Sequence, residues 1–120
     1  MRRLGTLGSG LVLAIFLAGQ PASSTRAEEP PRTLAIAAKR FEFSPSTITV
    51  KRGETVRLLV TSEDVTHGFF QRVLKIDTDL LPGKTTEVLI SPQEAGTYTV
   101  ICHHFCGAQH GSMKMTVVVE

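Results

Sequence analysis

From Thr33 to the C-terminus, apolar and polar residues alternate in short runs instead of recurring every three or four positions. Period-two alternation is the mark of half-buried strands. Residues 34–38 open the pattern, and Phe41 and Phe43 flank Glu42. Ser44-Pro45-Ser46 breaks the run, after which Ile48 and Val50 alternate with threonines. Lys51-Arg52-Gly53-Glu54 reads as a turn. Val56, Leu58 and Val60 then share one strand face, with Arg57 and Leu59 on the other. Leu81-Pro82-Gly83 is a second turn, followed by a strand over 86–90. Gly96 precedes Tyr98, Val100 and Cys102, and Met113, Met115, Val117 and Val119 fall on one face of a last strand. Residues 71–80 resolve only as mixed strand and loop. The pattern predicts about seven or eight short strands and no helical stripe, which means an all-β antiparallel sandwich or barrel. Its core would come from the inward faces of two sheets.

The N-terminus has a different texture. Arg2 and Arg3 precede an apolar, uncharged run over 4–19, and a polar stretch follows to Arg32. This is the three-part form of a secretory signal, with cleavage expected after Ala27. Retention as an anchor is the alternative, although a membrane-crossing helix wants roughly 20 apolar residues and this run is shorter. The expected organisation is a signal peptide over 1–27, a linker over 28–33 and one domain over 34–120. The mature protein would be exported or periplasmic, monomeric and not membrane-spanning. The net charge of +2 belongs to the signal. Without Arg2, Arg3 and Arg26, ten basic residues face eleven acidic ones, so no basic surface for nucleic acid is expected. Lys39-Arg40 and Lys51-Arg52 read as solvated strand ends.

The chemistry concentrates in Cys102-His-His-Phe-Cys-Gly-Ala-Gln-His-Gly-Ser-Met113, of pattern C-x3-C-x3-H-x2-M. It holds both cysteines, Cys102 and Cys106, with His110 and Met113. Thiolate, imidazole and thioether together suit copper, not magnesium, calcium or manganese. A disulfide between cysteines only four apart closes a tiny loop and would stabilise little, although metal-free protein in air is expected to form it. The stretch joins a strand ending at Cys102 to one beginning near Met113, so it is a loop pinned at one end of the sandwich. The one histidine outside it, His67, follows the 56–61 strand and would close the site from the side. Other readings remain open on the residues alone. Cys106, His110, Met113 and His67 form a mononuclear blue-copper set, leaving Cys102 unused. Two cysteines and two histidines could take zinc. A C-x3-C copper chaperone of thioredoxin-like fold would need helices between its strands.

Taken together, the ligand loop and three further features resemble the dinuclear copper (CuA) cupredoxin domain. Those features are Phe43, Pro45, Ile48, Val50 and Gly53 as F-x-P-x-x-I-x-V-x-x-G, the Asp64-Val-Thr-His-Gly-Phe69 segment, and the Leu-Pro-Gly turn. That domain occurs in cytochrome c oxidase subunit II and at the C-terminus of nitrous oxide reductase, and the likeness runs from Phe41 to Glu120. It implies a cupredoxin-like Greek-key sandwich holding two copper ions. Cys102 and Cys106 would bridge both ions, His67 and His110 would each cap one, and Met113 and the backbone carbonyl of His104 would be weak ligands. It also implies a carrier of single electrons, not an enzyme, working with a redox partner such as a c-type cytochrome or a terminal oxidase or reductase. The alternative role is copper delivery or storage for oxidase assembly. Two departures matter. His104 stands where the oxidase subunit has a glutamate tied to a second metal site, so no magnesium is expected. The chain has no tryptophan, so the aromatic patch that receives cytochrome c has no counterpart.

The remaining candidates have ordinary readings. Met115 is expected in the core, and Phe69, Phe70 and Phe105 as packing groups that dry the metal surroundings. The His103 and His104 side chains are expected at the surface or beside a ligand, and Tyr98 at a strand end. Glu63, Asp64, Asp77 and Asp79 are either ordinary surface or a face for a basic cytochrome.

Overall fold

Nine strands pair into two sheets in a computed structural model that describes Gly5, Gly8, 10–15, Gly19 and residues 30–120. The expected signal peptide, with its cleavage after Ala27, falls largely outside the described residues. Among them, no helix is long and apolar enough to cross a membrane.

The first sheet has the order β2-β1-β4-β7, built from β1 (Arg32–Lys39), β2 (Glu42–Ser44), β4 (Val56–Ser62) and β7 (Thr85–Ile90). The second has the order β3-β9-β8-β5-β6. It is built from β3 (Thr47–Val50), β5 (His67–Gln71), β6 (Ile76–Leu80), β8 (Gly96–Ile101) and β9 (Lys114–Val119). The sandwich is the expected one, but its sheets are mixed. β1 runs parallel to β4 and β3 parallel to β9, while the other pairings are antiparallel. Period-two alternation specifies which face a residue takes but not which way the neighbouring strand runs. β1 also starts at Arg32, two residues before the expected domain boundary.

β4 shows the alternation most cleanly. Val56, Leu58, Val60 and Ser62 are buried, and the residues between them are not. Ser44-Pro45-Ser46 carries the chain from the first sheet to the second. At Lys51-Arg52-Gly53-Glu54, Gly53 takes φ +80°, and the Glu54 carboxylate accepts the Lys51 N–H at 2.9 Å. Between the sheets, Phe43 meets Phe69 edge-on, with ring centroids 5.5 Å apart. Met113, Met115, Val117 and Val119 are all buried, as expected of one strand face. Residues 71–80, unresolved by pattern, form the end of β5, a turn and β6.

The topology collects one set of strand ends. The C-terminal ends of β1, β4, β6 and β8 and the N-terminal ends of β5 and β9 lie together. Cys102, Cys106 and Met113 belong to the same buried apolar cluster as the core. At the other end is a recess of about 560 Å³ lined by Val73, Leu89, Pro92 and Tyr98, which carries none of the soft donors. There the Tyr98 hydroxyl donates to the Glu94 carbonyl at 2.8 Å.

Candidate metal centre

Backbone hydrogen bonds define the loop that carries five of the six candidate ligands. The Cys102 N–H donates to the Met113 carbonyl at 3.1 Å, closing the loop where β8 hands over to β9. Inside it, the His110 N–H donates to the Gly107 carbonyl, and His110–Ser112 forms a single 3-10 turn. Gly107 has φ +143°, in the region that favours glycine. A Cβ there would also come within 2.8 Å of the Phe41 ring.

β5 supplies the opposing wall. Its pairing with β8 is limited to Phe70 and Ile101, and past that point the ligand loop lies directly over Gly68. A Cβ on Gly68 would sit 2.5 Å from the His103 nitrogen and 2.6 Å from that of His104, so only glycine lets the two backbones approach. The Gly68 N–H donates to the Cys102 sulfur at 3.3 Å.

On this scaffold the six candidate positions come together. The Cys102 and Cys106 sulfurs are 3.6 Å apart, free and 4% exposed as residues. His67 Nδ1 lies 3.9 Å from the Cys102 sulfur, and His110 Nδ1 lies 3.7 Å from that of Cys106. The His104 carbonyl oxygen is 3.2 Å from the Cys102 sulfur, and the Met113 sulfur is 3.8 Å from that of Cys106. Each thiol thus has one imidazole nitrogen and one weaker donor as neighbours. His67, Cys102 and Cys106 offer donor atoms all within 4.8 Å of one another. The His104 side chain turns away, its Nδ1 3.9 Å from Asp79.

Asp64 sets the direction of the His67 ring. Ser62 donates its hydroxyl to the Val65 carbonyl, tightening the bend after β4. Asp64 Oδ1 then lies 2.7 Å from both His67 Nε2 and the Val65 N–H, and Oδ2 accepts the Arg40 N–H at 2.7 Å. Partial burial pushes the Asp64 carboxyl upward, but the N–H donors of Arg40 and Val65 and the His67 ring outweigh it and hold it at about 2. An ionised carboxylate only accepts, so Nε2 carries a proton toward Asp64 and Nδ1 is the ring atom that faces Cys102. Burial drives the Cys106 thiol up to about 11, reinforced by its hydrogen bond to Cys102 and the Cys102 and Asp64 charges, against the pull of Arg40. A metal taking this sulfur as thiolate must therefore displace a proton.

Three expectations change. Asp64 is not ordinary surface, since it holds the buried histidine. Phe105 is not a packing group: it is 76% exposed, with its ring centroid 5.9 Å from that of His110. Phe69 is fully buried, and Phe70 packs on the His103 ring at 4.7 Å. Arg40, read from sequence as a solvated strand end, donates its Nε–H to the Cys106 carbonyl at 2.9 Å. Nothing in the local pattern marks that contact, which spans 66 residues. The D-x-x-H spacing of Asp64 and His67 was the available signal for the other.

A sandwich of this topology, with soft donors gathered at one end, defines the class. The chain belongs to the cupredoxin-like domain family, whose model matches residues 9–119. It is 34% identical over 88 residues to cytochrome c oxidase subunit 2 of Thermus thermophilus, covering 73% of this chain and 65% of that one. With the alternative cytochrome c oxidase subunit 2 of Bradyrhizobium diazoefficiens it shares 38% identity over 68 residues, covering 57% of this chain and 24% of the relative. The chain therefore spans less than two thirds of the length of these relatives. Among solved structures, the periplasmic domain of subunit II of cytochrome oxidase (CoxB) of Bradyrhizobium japonicum superposes with a TM-score of 0.68. That match has 18% identity and covers 74% of this chain and 83% of that one. The blue copper protein auracyanin A of Chloroflexus aurantiacus shares the fold at TM-score 0.62 and 18% identity, covering 76% of this chain and all of that one.

Proposed function

We propose that this chain is an exported CuA-type electron carrier, with His67, Cys102, the His104 carbonyl, Cys106, His110 and Met113 holding two copper ions. The observation that carries this reading is the duplication of the donor set. Each of the two adjacent sulfurs has its own imidazole nitrogen, at 3.9 and 3.7 Å, and its own weaker donor. A mononuclear site would gather both histidines around one sulfur and leave the other thiol without work. Two copper ions bound here would supply one-electron redox chemistry.

The chain's own residues hold the ligands still and keep water out. Asp64 fixes the His67 ring, Gly68 lets the loop seat against β5, and the core closes over both sulfurs. A site that is already arranged needs little rearrangement when its charge changes. The burial of both thiols favours a carrier over a copper-delivery protein, whose sulfurs must meet an acceptor. At the surface, the half-buried His110 and exposed Phe105 are where a redox partner approaches, such as a c-type cytochrome or a terminal oxidase. The oxidase subunit II relatives support an exported, periplasmic setting.

The test is a comparison of variants loaded with excess copper. Cys102→Ser and Cys106→Ser each lose the dinuclear absorption and EPR spectrum, whereas Met113→Leu keeps both metals and shifts the potential. An intact spectrum in either serine variant would sink the assignment.

A further inference from the structure

Arg40 lies in the turn between β1 and β2, on the sheet opposite His67 and Cys102, yet it touches both halves of the centre. Its backbone N–H donates to Asp64 Oδ2 at 2.7 Å, and the other oxygen of that carboxylate holds His67 Nε2. Its guanidinium Nε–H donates to the Cys106 carbonyl at 2.9 Å. The next residue, Phe41, packs against Gly107 so closely that a Cβ there would be 2.8 Å from its ring. One turn of the first sheet therefore grips the ligand loop at Cys106 and Gly107 and steadies the carboxylate behind His67. No carboxylate lies within ion-pair distance of the Arg40 guanidinium among the described residues, and at Cys106 its positive charge acts against the negative charge of Asp64.

We infer that Arg40 is a positioning residue that clamps the Cys106 end of the loop to the Asp64–His67 arm and biases the centre toward its reduced state with a fixed positive charge. The clamp follows from hydrogen-bond chemistry. A bond from a charged donor is stronger than a neutral one, and an ammonium cannot reproduce the planar fork that places Nε on this carbonyl. The bias follows from Coulomb's law, since a cation beside a redox site stabilises the form carrying one more electron. The clamp stands without any metal, whereas the bias rests on the copper reading above.

Two substitutions in the full chain separate these roles. Arg40→Leu removes donor and charge, and Arg40→Lys keeps only the charge. In metal-free protein, both variants are expected to speed amide exchange about tenfold at His110 and Met113, whose N–H groups are bonded within the loop, as for loss of one charged hydrogen bond. Amides of β4, the internal control, keep their wild-type rates. Unchanged exchange at His110 and Met113 in both variants overturns the clamp. After copper loading, Arg40→Leu is expected to lower the reduction potential while Arg40→Lys stays near wild type. An equal potential in Arg40→Leu, with copper still bound, overturns the bias. Failure of the wild type to take two copper ions would defeat the dinuclear reading and with it the bias, while the exchange result still decides the clamp.

Discussion

The two imidazoles that flank the sulfur pair are held in opposite ways. His67 opens β5 and is fully buried, its Nε2 fixed by Asp64 and its neighbour Gly68 pressed beneath the ligand loop. His110 rides on a 3-10 turn with no side-chain cap, is half-buried, and has the exposed Phe105 ring beside it. One arm is part of the core, and the other is part of the surface. The difference teaches a division of labour for the proposed carrier: one side is sealed in the core and the other is open to the surface.

Alanine at the two histidines should expose this asymmetry most visibly. His67→Ala empties a fully packed position and is expected to cost about 2–5 kcal/mol of stability, whereas His110→Ala should cost less than about 1 kcal/mol. Urea unfolding of the metal-free proteins measures both. Added imidazole should restore a dinuclear spectrum to His110→Ala, whose gap opens to solvent, and not to His67→Ala, whose gap is sealed.

A smaller effect is expected when the tether behind the buried arm is weakened. Asp64→Asn should lower copper affinity by about 10–100-fold, the usual cost of losing the carboxylate behind a ligand histidine. Its pH signature has a definite sign. The Asp64 carboxyl is depressed from 3.8 to about 2, so it contributes stability above pH 3.8 that disappears as pH falls through about 2. Unfolding free energies across that window should show wild type losing its advantage over Asp64→Asn at the acid end. A constant gap would mean the carboxylate charge does not matter.

Phe105→Ala marks the smallest structural effect, with stability unchanged within about 0.5 kcal/mol. Its expected consequence is confined to the exposed arm. Electron exchange with a c-type cytochrome should slow while exchange with a small inorganic oxidant does not. Equal slowing with both would place Phe105 in the integrity of the site instead of at its contact face.

The same division explains what could be read before folding. β4 and β9 were legible because each buries one face, which period two records directly. β6 was not. It is an edge strand whose outward Asp77 and Asp79 are poor strand formers in general but guard an open edge well. The parallel pairings of β1 with β4 and β3 with β9 left no local trace, because alternation does not encode direction. In the site, the grouping of the candidate donors was legible because thiols, imidazoles and a thioether at loop spacing have few other uses. Their supports were harder to see. Arg40 reaches Cys106 across 66 residues of sequence, and Phe105 is apolar but lies on a loop, where burial depends on what folds over it.

The direct test of the central claim is to load the reduced full chain with excess copper, remove unbound metal, and measure bound copper per chain together with the EPR spectrum. The account predicts two copper ions per chain and a hyperfine pattern from two equivalent nuclei sharing one unpaired electron. One ion per chain, with splitting from a single nucleus, would contradict it.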